Sequence, residues 1–408
     1  MNARVLLLAM AGLAAECGEH RRIDPPAQGE SGMPFLTAGG DGRVYLAWTE
    51  TSPEKEHALR FSRWTGSGWT AAETIARGRQ WFVNWADFGS LAVGRDGSML
   101  AHWLTRAEAG GSYGYGIRVA RREADRPVWR ETHGMSLEEK VDYAGFLTFA
   151  PGGGGAVYLS PPAEGGAAVH GASHDEHGHR KTVRFIEFGA GGAVASDIEI
   201  DRDACSCCQT AVGRTRSGWI AAYRDHRAGE IRDISVVRFR EGKWTEPQTL
   251  HADGWKINGC PTDGPSLVAS GERVAVAWLT RAGDVPKVQL ALSTDEGKVF
   301  GRPVRLDSGN PLGRPTITAF DAKSYLVTWL EKAASNDVAW IRMRRVSVDG
   351  VAGEAVTVGQ APLGRASGFP KAVVAGEQIV LAWRDGGVRA MLIPKSEFMK
   401  ARTGKDNE

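Results

Sequence analysis

An all-β chain of seven like units packed around an axis is the fold the sequence predicts, and three observations predict it. A hydrophobic strand closing on an aromatic residue recurs at Trp48, Trp103, Tyr158, Tyr223, Trp278, Trp329 and Trp383. Short runs with period-two alternation are separated by polar turns that draw on the 52 glycines, and no stretch keeps a helical period beyond a turn or two. Each unit is too small to bury its own hydrophobic face, so neighbours must stack on one another. Together these describe a seven-bladed β-propeller, with a six-bladed ring carrying an extra partial element as the alternative. A pair of β-sandwiches would also give many short strands, but the near-regular spacing runs through the whole chain.

Within one unit the strands follow in order. Residues 264–270 form the first, Arg273-Val-Ala-Val-Ala-Trp-Leu279 the second, Lys287-Val-Gln-Leu-Ala-Leu-Ser293 the third and Arg302-Pro-Val-Arg-Leu306 a short fourth. The turn Thr294-Asp-Glu-Gly297 links the last two. The seventh unit offers three strands, around residues 369–374, 378–383 and 388–393, and then a polar tail. Its missing fourth strand is expected from the segment near residues 19–23, which would close the ring and remove a free sheet edge. The organisation predicted is a signal peptide over 1–16, a linker or ring-closing strand over 17–32, one propeller over 33–396, and a disordered tail over 397–408.

Composition fits an exported body. The net charge is +2 and no basic stripe emerges, which gives no case for nucleic-acid binding. Arg4, an apolar run from Val5 and small residues up to Ala15 read as a secretion signal, too short to span a bilayer as a helix. Cys17 follows, so processing either removes the segment after Ala15 or leaves a lipid anchor on Cys17, which would be the chain's membrane contact. The expected location is periplasmic or extracellular.

Export bears on the cysteines, because thiols in an oxidising compartment are normally bridged or metal-bound. Aligned on the strand-closing aromatic, Cys208 stands where the next unit has Asp263, and Cys205 and Cys260 hold equivalent places in adjacent units. Cys205 and Cys260 are therefore expected to form a staple between blades four and five. If the strand is regular, vicinal Cys207 and Cys208 face opposite sides. The same alignment collects Asp87, Asp142, Cys208, Asp263 and Arg314 at the starts of the innermost strands. Such a ring either gathers a ligand at the channel mouth, with pKa values raised by like charge, or caps the inter-blade turns by accepting backbone N–H groups.

A metal is the sharpest functional version. Cys205, Cys207, Cys208 and Cys260 are the candidate ligands, and thiolates in this density suit zinc or copper. His170, His174, His177 and His179 lie in a Gly-rich excursion of the third unit, and His226 follows Tyr223. The stretch from Tyr223 to Ile234 is dense in Arg, Asp and Glu. Buried, it would brace a loop; open, it would hold a carboxylate through a bidentate arginine fork. Trp255 and the segment from Trp81 to Trp85 could wall the same mouth. Gly-rich excursions over 110–116 and 165–179 suit an exported protein partner in a third, non-catalytic reading.

Ser293-Thr-Asp-Glu-Gly-Lys-Val-Phe300 resembles the Asp-box turn, Ser-x-Asp-x-Gly-x-x-Trp, with Phe in the final place. Residues 66–69 and 242–244 echo it more loosely. On this turn, and on Cys205-Ser-Cys-Cys-Gln-Thr210 and Asp253-Gly-Trp-Lys-Ile-Asn-Gly-Cys-Pro261, the chain resembles the bacterial sialidase-like, BNR-repeat propellers. The resemblance implies an exo-sialidase-like glycoside hydrolase acting on an acidic glycan, with an arginine triad, a Tyr–Glu nucleophile pair and an Asp acid/base. The Phe/Tyr-Arg-Ile-Pro phrase that delivers the first arginine is missing, and sialidases have six blades where seven phrases stand here. A substitute clamp would be Arg224, Arg314 and Arg365, with Asp87, Asp142 or Asp263 as proton donor and Tyr143 adjacent. Shared scaffold alone does not determine chemistry.

Overall fold

The structure is a computed structural model that describes residues 19–106, 114–135, 143–162, 181–333 and 338–399. The expected signal peptide over 1–16, Cys17, Asp142, the His170–His179 excursion and residues 400–408 lie outside the described residues.

Seven antiparallel sheets make a seven-bladed β-propeller, and in six of them the strands follow chain order from the innermost outward. Blade one comprises Glu30–Ala38, Val44–Thr51, His57–Trp64 and Glu73–Gly78, and blade two Ser90–Val93, Met99–Arg106, Tyr115–Arg122 and Arg130–Met135. Blade three runs Gly145–Phe149, Gly155–Ser160, Lys181–Phe188 and Val194–Ala204, and blade four Ala211–Arg214, Trp219–Arg224, Ile234–Arg240 and the short pieces Lys243–Trp244 and Gln248–Thr249. Blade five comprises Ser266–Ser270, Arg273–Thr280, Lys287–Ser293 and Val304–Arg305; blade six Pro311–Asp321, Ser324–Lys332, Val338–Ser347 and Ala352–Pro362. The recurring aromatics all fall in the second strand of their blade, where Trp48, Trp278 and Trp329 are fully buried. Large flat rings there fill the space between two twisted sheets that a smaller side chain would leave empty.

Blade seven has Lys371–Ala375, Gln378–Arg384 and Val388–Pro394, and its fourth strand is Arg21–Arg22, paired antiparallel to Leu392 and Met391. Ile23 donates its N–H to Ala390 O at 2.8 Å, and Asp24 accepts from Ala390 N at 2.9 Å. Residues 21–24 and 388–394 are thus held in one sheet, and the first strands of blades one and seven meet as those of other neighbours do. At the other end of blade seven Phe398 is buried against Phe320, so the packed body extends to the last described residues.

The Asp-box-like turn sits between the third and fourth strands of blade five. Ser293 Oγ donates to Asp295 Oδ1 at 2.7 Å, while Gly297 N and Val299 N donate to Ser293 Oγ and Asp295 Oδ1 at 3.0 and 2.9 Å. Its polar groups are turned inward on their own backbone, a structural use that leaves none of these contacts for a ligand.

Candidate metal centre

Residues 205–208 form a turn between the outermost strand of blade three and the innermost strand of blade four. This corrects the expectation of a regular strand, in which Cys207 and Cys208 would diverge. The turn gathers three sulfurs so that all lie within 4.8 Å of one another. Cys205 Sγ is 3.0 Å from Cys208 Sγ and 3.8 Å from Cys207 Sγ. Cys205 and Cys208 are buried, Cys207 is half-buried and Cys260, from the segment leading into blade five, is exposed. Cys260 is near enough to Cys207 to help push the Cys207 thiol pKa up, but it is not among the three sulfurs that converge. None of the four forms a disulfide. The expected Cys205–Cys260 staple is replaced by a different geometry, because the turn directs Cys205 at Cys208. Two residues separate Cys205 from Cys208, so a Cys-x-x-Cys pair was present in the sequence but hidden within the denser cluster.

Local packing fixes this turn. Tyr143 donates its hydroxyl to Ser206 O, and Cys205 N bonds Arg224 O at 3.0 Å. Lys181, fully buried, donates to Tyr143 O at 2.6 Å and places its ammonium 3.5 Å from the Tyr143 ring centre. The Tyr143 ring stacks on Tyr115 and the Tyr115 ring on Phe82, with centres 4.8 and 3.9 Å apart. Within the cluster Cys205 is the thiol most disposed to lose its proton. Its pKa is well below the usual thiol value because Cys207 and Cys208 direct S–H groups at it, with the Arg232 guanidinium adding to the effect. Burial, and then the contact with Cys205, push Cys208 up. Arg232 donates to Glu230 at 2.7 Å, while its buried Nε has no hydrogen-bond partner among the described residues.

The aspartates of the predicted ring act as brackets between blades. Asp87 is buried, accepts the Tyr115 hydroxyl at 2.8 Å and interacts with the backbone N–H of Phe146 in blade three. Burial pushes its pKa up to about 7, against the pull of those two donors. Asp263 repeats the arrangement three blades further round, between blades five and six. It accepts Arg314 N at 2.7 Å, and its pKa is pushed up to about 6 by burial. Phe146 and Arg314 both have positive φ, 53° and 57°, and each follows a glycine at a break in strand register. A Cβ on Gly145 or Gly313 would come within 2.1 or 2.2 Å of the carboxylate, so only glycine lets the aspartate approach.

The expected arginine clamp is not assembled as one open site. Arg224 is buried and donates to Asp263 O at 2.9 Å, Arg232 O at 2.6 Å and Leu279 O at 2.8 Å, with Trp255 stacked 4.6 Å away. Arg314 donates to Ser367 Oγ, Gly368 O and Gly364 O, and lies 4.6 Å from the Trp85 ring. Arg365 is exposed on the 3-10 turn Gly364–Ser367. The charged stretch after Tyr223 is likewise a brace: Arg227 and Ser235 bond Asp225 at 2.9 and 2.6 Å, and Asp233 accepts Gly254 N and Trp255 N at 2.9 and 3.0 Å. His226 bonds Asp203 at 2.9 Å, and Trp255 is buried. Gln209 was missed in the sequence. It donates to Ala86 O at 2.8 Å and accepts Gly264 N at 3.0 Å, joining blade four to the entries of blades two and five.

The class of protein that fold and site define is a seven-bladed β-propeller with a thiol cluster where blades three, four and five meet. No family model matches the chain, and no curated protein matches it. Among solved structures the fold is similar to a protein of unknown function from Dyadobacter fermentans, with TM-score 0.51 and 13% identity over 92% of this chain and 98% of that one. It is also similar to a family PL25 ulvan lyase, with TM-score 0.54 and 10% identity over 92% and 96% of the two chains. A Hadza microbial sialidase matches more distantly, with TM-score 0.43 and 13% identity over 81% and 66%. At these identities the likeness establishes the fold alone.

Proposed function

We propose that this propeller is an exported protein that holds a thiophilic metal ion, zinc or copper, on Cys205, Cys207, Cys208 and Cys260. The observation that carries the proposal is the convergence of three sulfurs within 4.8 Å, two of them buried, with a fourth thiol, Cys260, nearby. A tetrahedral thiolate site with metal–sulfur bonds of about 2.3 Å sets its sulfurs roughly 3.8 Å apart. Cys205 and Cys207 already have that separation of 3.8 Å. Cys208 would open by roughly 0.8 Å from its present contact with Cys205 to join them. Such a metal would act as a charge centre among the thiolates, with Arg232 offsetting part of their negative charge. Tyr143 and Arg224 hold the turn that presents the sulfurs.

The sialidase-like hydrolase acting on an acidic glycan has no comparable support. Arg224 and Arg314 are committed to protein oxygens, and Asp87 and Asp263 to inter-blade contacts. The metal reading is tested on reduced protein purified without a histidine tag, loaded with zinc(II) or copper(I), dialysed and assayed for bound metal. About one equivalent is expected, falling to background in Cys207→Ser and Cys208→Ser proteins that remain folded. Folded wild-type protein that retains neither metal overturns the proposal.

A further inference from the structure

The four thiols are graded in depth as well as clustered. Cys260 is exposed, Cys207 half-buried, and Cys205 and Cys208 are closed from solvent. The exposed Cys260 is the thiol near Cys207, and the contacts follow the same order inward, from Cys207 to Cys205 at 3.8 Å and from Cys205 to Cys208 at 3.0 Å. The last contact lies inside the roughly 3.5–4.0 Å at which non-bonded carbon atoms rest. It is also closer than two ligands of one metal require, so the turn brings this pair nearest to bonding distance. A metal site needs neither an exposed member nor a linear order of contacts, whereas stepwise exchange needs both.

We propose that the cluster carries a second activity, thiol–disulfide exchange with small-molecule disulfides, in which Cys260 is the entry and Cys205–Cys208 the buried end point. Cys260, its thiol proton lost to solvent, attacks one sulfur of a disulfide RSSR. A Cys260–SR bond forms and RS⁻ leaves, taking up a proton as RSH. Cys207, likewise deprotonated, attacks Cys260 Sγ and expels the second RSH. Cys205 attacks Cys207 Sγ and returns Cys260 to the thiol, and Cys208 attacks Cys205 Sγ and returns Cys207. The net change is oxidation of Cys205 and Cys208 by two electrons and reduction of RSSR to two RSH. Closing that bond withdraws two ligands and releases the metal; this last consequence alone rests on the metal proposal.

The test treats the reduced full chain with oxidised glutathione, follows thiol loss, and maps the disulfides by non-reducing peptide mass spectrometry. A Cys205–Cys208 bond is expected as the end product, forming about tenfold more slowly in a Cys260→Ser protein, which keeps the buried pair but lacks its exposed entry. Cys208→Ser should halt transfer with Cys207 still in the bond or in exchange with Cys205. Oxidation of Cys260→Ser at the wild-type rate, or an end product joining Cys207 or Cys205 to Cys260, overturns the relay. Zinc-loaded protein is oxidised in parallel with a chromogenic chelator present. Zinc appearing in step with the Cys205–Cys208 bond supports the coupling, and zinc retained by fully bridged protein overturns it. Protein that forms the bond but never held metal when reduced refutes the metal proposal and leaves the relay standing.

Discussion

Asp87 shows how one residue can carry a pH dependence that has no catalytic meaning. Its folded-state pKa, about 7, stands above the ordinary carboxyl value because burial disfavours the anion. Between about pH 4 and pH 7 the folded chain therefore keeps a proton that the unfolded chain releases, and stability falls as pH rises through that window. The contribution is fully present below the window and lost above it. Asp87→Asn is neutral throughout and can still accept the Tyr115 hydroxyl. Urea unfolding should show it near wild-type stability at pH 4 and more stable than wild type at pH 8, the gap growing by roughly 1.4 kcal/mol per pH unit crossed. An unchanged slope in the variant would locate the pH dependence elsewhere, with Asp263, pushed up to about 6, the next group to replace.

At the scale of elements, blades four and five are joined through Arg224. Its guanidinium leaves the second strand of blade four and satisfies Asp263 O, Arg232 O and Leu279 O at once. A buried carbonyl without a donor costs about 1–3 kcal/mol, and a lysine ammonium cannot reproduce the planar fork that reaches all three. Arg224→Lys should therefore cost roughly 3 kcal/mol in denaturant unfolding, despite keeping the charge. It should also loosen the thiol turn, since Cys205 N bonds Arg224 O, and speed alkylation of Cys205. A loss below about 1 kcal/mol would mean that water replaces the fork and that the brace is not structural.

Across the whole molecule, the ring depends on a two-residue strand. Arg21–Arg22 lies on the open edge of blade seven, with Ile23 packed beside the core shared by blades seven and one. Ile23→Pro removes the N–H bonded to Ala390 O and most of that apolar contact while leaving the chain otherwise intact. Thermal unfolding should show a loss of about 1–3 kcal/mol, and limited proteolysis should cut first near this junction. A variant with wild-type stability and protease resistance would show that inter-blade packing alone holds the ring shut.

The blades were legible in the sequence because strand periodicity and turn composition are local, and the strand-closing aromatics mark every second strand. The kinds of residue that matter were legible too: the four cysteines, Asp87, Asp263 and the arginines all stood out by residue type and by their places in the repeat. Their roles were not. Whether Asp87 and Asp263 face a ligand or a neighbouring backbone depends on Phe146 and Arg314 adopting positive φ in the next blade. Gln209 carries no local signal at all, because its partners Ala86 and Gly264 are 123 and 55 residues away. The sequence by itself determined a ring of seven sheets, since hydrophobic pattern and turn chemistry act over a few residues. Only the tertiary structure decided that Arg224 is a brace and that Cys205 faces Cys208, because burial and hydrogen-bond partners are set by segments that meet only when the ring is closed.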